Sequence, residues 1–228
     1  MNILAIGAHP DDIEFGCAHV LLLETKAGNR VKHLVLSRGE AGSSGTPASR
    51  EDEARAAAKG IGAEIEFLDF GGDCHMENTP ENAIRLAAEI RKYRPAIVLA
   101  PHTDENQHPD HAISGKMTRD ACRFARYSGL QDLALPAHSV QALYFYTITV
   151  DYGRPPVMID ISSVVKDWEA AMACHQSQMR TRGYADLRLS AARNLGLSIG
   201  TEYAAGLFPN DPIRLAKVSD LDRSSRHY

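Results

Sequence analysis

The sequence predicts one α/β domain spanning residues 1–228, a Rossmann-like three-layer sandwich in which a mostly parallel sheet carries helices on both faces. Short apolar runs alternate with helical patterns of about ten to fifteen residues, which is typical of βαβ units. A chain of 228 residues forms one sizeable core without requiring a second domain. Its hydrophobic content of 44% and charged content of 24% are ordinary for a globular protein.

The predicted strands are apolar runs, of which the third is the weakest. If the sheet has the doubly wound order 3-2-1-4-5, the first and fourth strands are neighbours, and the chain leaves their C-terminal ends in opposite directions. Ligands bind in the crevice that forms there. The predicted strands are Ile3–Ile6, Val31–Leu36, Ile65–Leu68, Ala96–Ala100, Val140–Thr149 and Val157–Ile161.

Helices are predicted between these strands and in the last third of the chain. Thr79 is an expected N-cap, and Pro80 suits the first helical position because its ring presets the backbone and no N–H is lost. A loop rich in Gly, Ser and Thr is expected at residues 39–47. The predicted helices are Phe15–Ala27, Ser49–Lys59, Pro80–Tyr93, Asp110–Tyr127, Val164–Met179 and Tyr184–Leu197.

Charge and cysteine use limit the partners and the compartment. The net charge is -4, and no block rich in Lys or Arg occurs, so neither nucleic acid nor an anionic membrane is an expected partner. Residues 1–7 lack the basic segment of a signal peptide, and no apolar stretch is long enough to span a membrane. The four cysteines are widely scattered, which favours reduced thiols in a cytoplasmic protein.

Two similar four-residue segments are the candidate functional elements. The first tetrad, His-Pro-Asp-Asp, occupies residues 9–12, and the second tetrad, His-Pro-Asp-His, occupies residues 108–111. They follow the predicted first and fourth strands. A doubly wound sheet would therefore bring both tetrads to the same crevice.

The residue types of the tetrads predict a hydrolytic metal site. Residues three apart at a helix start lie on roughly the same side, so His9 and Asp12 can address one point, as can His108 and His111. A His/Asp/His set formed by His9, Asp12 and His111 leaves one position open for water, as catalytic zinc sites do.

The remaining tetrad side chains are suited to proton transfer. Asp11 is the expected general base, and His108 is expected to stabilise an oxyanion or protonate a leaving group. Asp110 is expected to accept a hydrogen bond from His108 and so to orient it. Either aspartate of the first tetrad could instead be a simple helix cap, and one tetrad alone would be structural more often than functional. Because two tetrads follow adjacent strands, a functional role is favoured over a structural one.

Nucleotide binding is disfavoured despite the alternating pattern. The loop at residues 39–47 lacks the G-x-x-x-x-G-K-[ST] pattern, and the first strand does not continue into G-x-G-x-x-G. Cys74 beside His75 leaves a thiol nucleophile as a minor alternative.

Residues 8–12, together with Glu14 and Gly16, resemble the [AP]-H-P-D-D-x-E-x-G signature of the PIG-L (LmbE-like) zinc-dependent N-acetylglucosaminyl deacetylases. The second tetrad matches the H-P-D-H signature of that family. The resemblance covers almost the whole chain, since residues 37–47, 175–178 and 200–204 are similar to later family motifs. The closest pattern is that of the bacillithiol-biosynthesis deacetylases, whose substrate is N-acetylglucosaminyl-malate.

This resemblance implies an enzyme that releases acetate from an N-acetylglucosamine-type substrate. It implies zinc on His9, Asp12 and His111, with Fe²⁺ as an alternative ion, and Asp11 as the base. It places His108 near the oxyanion or the leaving amine, oriented by Asp110. It also implies a homo-oligomer, commonly a hexamer.

Three further residues are implied in substrate binding. Arg38 matches a substrate-binding arginine, with a surface ion pair as the alternative. Glu14 either supports the metal site, contacts sugar, or only favours the dipole of its helix. Asp73 is retained where relatives read P-D-G-x-L, whereas Cys74 and His75 replace small residues there. If that loop lines the pocket, specificity for the acyl sugar differs.

Two other functions remain open at this stage. One is a metal-dependent hydratase or lyase acting on an unsaturated dicarboxylate, which Arg38 would hold. The other is a metal- or nucleotide-binding module without catalysis.

Overall fold

One seven-stranded sheet organises the molecule. The computed structural model of the chain describes residues 1–104, 107–150, 153–222 and 224. Its strands lie in the order β3-β2-β1-β4-β5-β7-β6, and β5–β7 and β7–β6 are antiparallel pairs while the others are parallel. The strands are β1 (Asn2–Gly7), β2 (Arg30–Val35), β3 (Glu64–Phe67), β4 (Ile97–Pro101), β5 (Ala142–Tyr146), β6 (Val157–Asp160) and β7 (Ala204–Pro209).

Helices cover both faces of the sheet, which confirms the predicted three-layer arrangement. One buried apolar cluster contains Leu21 and Trp168, and a second contains Leu86 and Met117. None of the helices in the described residues is both long and apolar enough to span a membrane. The helices are α1 (Asp12–Gly16), α2 (Ala18–Lys26), α3 (Pro47–Ile61), α4 (Pro80–Tyr93), α5 (Pro109–Ala125), α6 (Val165–Ala173), α7 (Gln176–Met179) and α8 (Tyr184–Ile199).

Strand β1 explains why the first apolar run is continuous. Ile3 and Ala5 belong to one core cluster, whereas Leu4 and Ile6 belong to the other. Successive strand residues point to opposite faces, so a strand covered on both sides must be apolar at every position. Strand β1 pairs in parallel with β2 and with β4, which confirms the predicted order 3-2-1-4-5.

Strand β7 was absent from the sequence prediction. It is a short run interrupted by Gly206 and ended by Pro209, both of which weaken a strand pattern. A side chain at position 206 would meet the Pro155 ring, with a Cβ only 2.4 Å from Pro155 Cγ. Gly206 weakens the strand pattern in the sequence, but its close packing against Pro155 requires a glycine at this position.

The predicted helix Phe15–Ala27 is broken at Cys17 into α1 and α2. The ring of Tyr146 packs against Gly16, where a Cβ would lie 2.3 Å from the ring carbons, and its hydroxyl donates to the Ile6 carbonyl at 2.6 Å. The predicted helix Val164–Met179 is likewise divided into a 3₁₀ turn, α6 and α7. At the first interruption, the close Tyr146 ring requires a glycine at position 16.

Candidate active site

The two tetrads meet where β1 and β4 lie side by side. Asp12 opens α1, and its Oδ1 lies 3.1 Å from His111 Nε2 in the first turn of α5. His9 Nδ1 lies 3.6 Å from Asp12 Oδ2. All three side chains are buried, and one ligating atom from each lies within 4.8 Å of the others.

The electrostatics of this group favour a cation. Carboxylate oxygens of Asp12, Asp73 and Asp110 approach the His9 ring to between 3.1 and 3.6 Å. Although burial opposes protonation, these carboxylates raise the pKa of His9 well above its usual value. His111 and His9, in turn, hold the pKa of the buried Asp12 well below its usual range despite burial.

The donor chemistry fits zinc. Two imidazoles and one carboxylate are preferred zinc ligands, and three protein ligands leave a position for water or substrate. A second set, comprising His9, Asp73, His108 and Asp110, also brings its ligating atoms within 4.8 Å of one another. Both sets contain His9, so only substitutions of the other residues can show which set binds a metal ion.

The Asp11 carboxylate lies beside the predicted metal ligands and does not cap a helix. It is the N-cap of α1 through its backbone, with Phe15 N donating to Asp11 O at 3.0 Å, but its side chain makes no capping bond. Its backbone has φ 134°, a region that residues with a side chain rarely adopt. Burial raises the pKa of Asp11 to about 6, even though Arg50 pulls it down.

Sequence reasoning missed Arg50, which fixes this corner of the site. Its Nη2 lies 3.4 Å from Asp11 Oδ1 and donates to the Pro10 carbonyl, while Nη1 donates to the Gly39 carbonyl at 3.1 Å. A Cβ at Gly39 or Gly42 would lie 2.1 or 2.6 Å from that Nη1. The signal was therefore present as glycines in the loop that precedes an arginine in α3.

His108 and Asp110 are oriented differently from the prediction. His108 is the N-cap of α5, and its Nδ1 accepts from the Asp110 backbone N–H at 3.3 Å. The Asp110 carboxylate lies 3.9 Å from that nitrogen, and it instead accepts from Cys74 N at 2.8 Å and contacts His9 Nε2 at 3.3 Å. Because the Nδ1 lone pair is already used, the backbone of Asp110, not its carboxylate, holds the His108 ring.

A pocket of about 390 Å³ opens over both tetrads. It is lined by His9, Asp11 and Asp12 of the first tetrad and by His108 and His111 of the second. The loop at residues 39–47 contributes its part from Ala41 to Ser43. Amide, hydroxyl and aromatic side chains outside the tetrads also line it: Phe15, Gln107, Thr149, Gln178, Thr181 and Tyr184.

Residues 4–122 match the family described as PIG-L, GlcNAc-PI de-N-acetylase. This chain belongs to the PIG-L deacetylase family. The diacetylchitobiose deacetylase of Thermococcus kodakarensis is 33% identical over 191 residues, which cover 78% of this chain and 70% of that relative.

A second curated relative of this PIG-L protein carries a different activity. The 4-oxalmesaconate hydratase of Pseudomonas putida is 28% identical, and the match covers 90% of this chain and 88% of the relative. Among solved structures, the conserved protein TT1542 of Thermus thermophilus is 29% identical, with a TM-score of 0.87 and coverage of 95% and 97% of the two chains. The fold prediction is thereby confirmed.

Glu14 of this PIG-L protein lies away from the pocket lining, unlike the predicted contact with sugar. It is 2% exposed, with one oxygen 3.3 Å from His33 Nδ1 and the other 3.2 Å from His175 Nε2. Although burial opposes it, the adjacent His175 and His33 rings lower the pKa of Glu14 to about 2. The side chain is therefore a buried anion that ties α1 to β2 and to the start of α7.

Arg38 and Asp73 differ in their position relative to the pocket, which Asp73 lines and Arg38 does not. The Arg38 side chain turns towards Glu51, with Nε 3.6 Å from Oε2, and Arg38 does not belong to the described pocket lining. That geometry matches the surface ion pair considered as its alternative. Asp73 does line the pocket, 6% exposed, with Oδ1 3.1 Å from His9 Nε2.

Cys74 follows Asp73 into the pocket, so the loop that departs from the family pattern lines the site. A hydrogen bond to Asp73 raises the pKa of the Cys74 thiol, which therefore stays protonated at neutral pH. A protonated thiol is a poor nucleophile. This geometry gives no support to the thiol-nucleophile alternative.

Proposed function

We propose that this PIG-L protein is a zinc-dependent N-deacetylase that releases acetate from an N-acetylglucosamine-type substrate. The observation that carries the proposal is Asp11: a pocket carboxylate beside the His9, Asp12 and His111 group, without a capping bond and with its pKa raised to about 6. A general base with a pKa near the working pH is deprotonated and still basic enough to accept a proton.

In this proposal, His9, Asp12 and His111 hold the metal. A zinc ion bound there would lower the pKa of water to about 7 and polarise a carbonyl oxygen. Asp11 takes the proton from the attacking water. Arg50 fixes the position of the Asp11 carboxylate through contacts to Asp11, Pro10 and Gly39.

His108 supplies the other proton-handling group. Because its Nδ1 accepts from the Asp110 N–H, the neutral ring carries its proton on Nε2. Burial and the nearby His9 lower the pKa of His108, which favours this neutral form. The Nε2–H then donates a hydrogen bond to the developing oxyanion of the acetyl group, and the ring protonates the departing nitrogen only after it has itself taken up a proton.

The pocket wall supports an uncharged sugar as the substrate. Gln107, Thr149, Gln178 and Thr181 offer amide and hydroxyl groups of the kind that hydrogen-bond sugar hydroxyls, and Tyr184 adds an aromatic surface. With Arg38 engaged by Glu51, we favour a neutral aglycone over malate, although N-acetylglucosaminyl-malate stays within the substrate class.

The hydratase relative supports a second candidate, the addition of water to an unsaturated dicarboxylate. Such a dianion needs positive side chains. Among the described lining residues, Arg50 is the one arginine or lysine, and its guanidinium already donates to two backbone carbonyls. This charge pattern favours the deacetylase.

One screen separates these functions. The zinc-reconstituted protein is assayed for acetate release from diacetylchitobiose, other neutral N-acetylglucosamine conjugates and N-acetylglucosaminyl-malate, and for hydration of an enol dicarboxylate. We expect acetate from a neutral conjugate, and its loss on chelation. Hydration without acetate would establish the second candidate, and failure to retain stoichiometric divalent metal after reconstitution would overturn both.

The cytoplasmic location and the homo-oligomer, perhaps a hexamer in the family pattern, stay predictions. Light scattering of the purified chain measures the second directly.

A further inference from the structure

A second group of three donor atoms lies beside the proposed metal ligands and shares none of them. The Cys74 sulfur is 3.4 Å from Asp73 Oδ1 and 3.5 Å from His108 Nε2. The triangle is closed by a distance of 3.6 Å between His108 Nε2 and Asp73 Oδ1. We call these residues the thiol triad; all three line the pocket.

These separations match those of ligands on one tetrahedral ion. Zinc binds sulfur at about 2.3 Å and nitrogen or oxygen at about 2.0–2.2 Å, which at tetrahedral angles separates the ligand atoms by about 3.3–3.6 Å. All three sides of the triad are close to that range. The spacing of the three donor atoms therefore suits one ion, once the proton on His108 Nε2 has moved to Nδ1.

We infer that the thiol triad is a second metal site, selective for soft divalent ions such as Zn²⁺ or Cd²⁺, and that its occupancy inhibits the enzyme. Thiolate sulfur favours Zn²⁺ over Mg²⁺ or Ca²⁺, which prefer oxygen ligands. On binding, the Cys74 S–H releases its proton to solvent, and the His108 proton moves through solvent from Nε2 to Nδ1, which gives up the Asp110 N–H and turns towards the Asp110 carboxylate, 3.9 Å away. Sulfur–metal, nitrogen–metal and oxygen–metal bonds form, and each replaces one water on the ion. The pocket side leaves the fourth position to solvent.

Inhibition follows from the use of His108. A ligand nitrogen cannot donate a proton, so an ion bound to His108 Nε2 removes the group that serves the oxyanion or the leaving nitrogen. This consequence rests on the proposed function, whereas the binding of the second ion does not.

Position 74 offers variants that remove the sulfur without disturbing the loop. Cys74 has φ 67°, a left-handed conformation that glycine adopts without cost, so Cys74→Gly should fold at least as well as the parent chain. Cys74→Ser keeps the size of the side chain and replaces the soft ligand by a hydroxyl, and so serves as the matched control.

The binding test uses the full zinc-loaded chain titrated with Cd²⁺. We expect one additional equivalent accompanied by a sulfur-to-metal charge-transfer band, absent from both Cys74 variants. The proposed first site contains no sulfur, so exchange of zinc there gives no such band. A band that persists in Cys74→Gly would assign it to Cys17, Cys122 or Cys174 and overturn the site, as would the absence of a sulfur-linked equivalent in the parent chain.

The activity test measures inhibition by excess Zn²⁺, with each variant normalised to its own activity at one equivalent. Removal of an outer-shell partner costs metal affinity about 10–100-fold, and loss of a direct ligand should cost at least as much. We therefore expect the midpoint of inhibition to rise at least about tenfold in both variants. Equal midpoints alongside a sulfur band in the parent would overturn inhibition while leaving the site. If no substrate is turned over, the proposed function fails while the Cd²⁺ result still decides the site.

Discussion

The two tetrads have nearly the same sequence, but the structure uses their third residues differently. Asp11 turns its carboxylate into the pocket beside Arg50, whereas the Asp110 carboxylate accepts the Cys74 N–H and contacts His9. Their fourth residues have similar positions, because Asp12 Oδ1 and His111 Nε2 lie 3.1 Å apart in the same group of predicted metal ligands. The aspartates at the third position are therefore not interchangeable.

The difference arises from where each helix begins. Helix α1 starts at Asp12, so Asp11 is its N-cap, whereas α5 starts at Pro109, so His108 is the N-cap. The three shared letters, His-Pro-Asp, are thus shifted by two positions relative to the helix start. Side-chain direction depends on this helix position, and so the roles differ although the residues match.

The largest expected effect compares the same substitution at both third positions. Asp11→Asn should lower kcat by about 10²–10⁴-fold, the range for loss of a general base, while zinc content is kept. Asp110→Asn should cost much less, because that carboxylate only positions His9 and the Cys74 backbone. Acetate-release kinetics with metal analysis measure both. Equal losses from the two variants would refute the division of roles.

The next comparison concerns the histidines of the second tetrad. His111→Gln should abolish stoichiometric zinc binding, whereas His108→Gln should retain one equivalent and lose activity. Metal content after dialysis, determined by elemental analysis, distinguishes them. Loss of zinc from the His108 variant would instead favour the alternative set of His9, Asp73, His108 and Asp110 as the primary ligands.

A smaller effect tests Arg50, which contacts Pro10 and Asp11 of the first tetrad. Burial raises the pKa of Asp11 and Arg50 lowers it, so Arg50→Met should raise this pKa further. The base must be deprotonated, and activity is lost as the pH falls through its pKa. The acidic limb of the kcat/KM profile should therefore move to higher pH, whereas Arg38→Met, which removes an arginine outside the pocket lining, should leave that limb in place.

The smallest expected effect concerns a histidine outside the tetrads. Burial first, and then Arg188, lower the pKa of His19 from 6.5 to about 3, in contrast to carboxylate-surrounded His9. Below pH 6.5 the unfolded chain therefore binds a proton that the folded chain refuses, so stability falls as the pH drops towards about 3.

His19→Gln should reduce this acid sensitivity by up to about 1.4 kcal/mol per pH unit within that window. Urea unfolding at several pH values measures how the free energy of unfolding changes with pH. This slope is compared between variant and parent, because the lost packing of His19 on Trp168 changes only the free energy common to all pH values. An unchanged slope would show that His19 is protonated equally in both states.

The sequence predicted that His9, Asp12 and His111 would meet, but it predicted less about the side chains around them. His9, Asp12 and His111 converge because strand order brings the ends of β1 and β4 together, and apolar runs predict strand order. Arg50 was missed because its sign in the sequence is the set of glycines in the preceding loop, and a charged helix does not show which of its residues folds back under them. The Arg38 motif likewise does not reveal the neighbouring Glu51, and substrate binding by Arg38 stays a prediction.

By itself, the sequence determined the sheet, its central strand order, the meeting of the tetrads and membership of the PIG-L family. These follow from local periodicity and from residue types at strand ends, which short segments encode. Only the tertiary structure decided the direction of each side chain. The Asp11 side chain makes no capping bond, and Glu14 is buried between His33 and His175. Cys74 lies within reach of Asp73 and His108. Such directions depend on helix starts and on packing partners far along the chain, which no local pattern specifies.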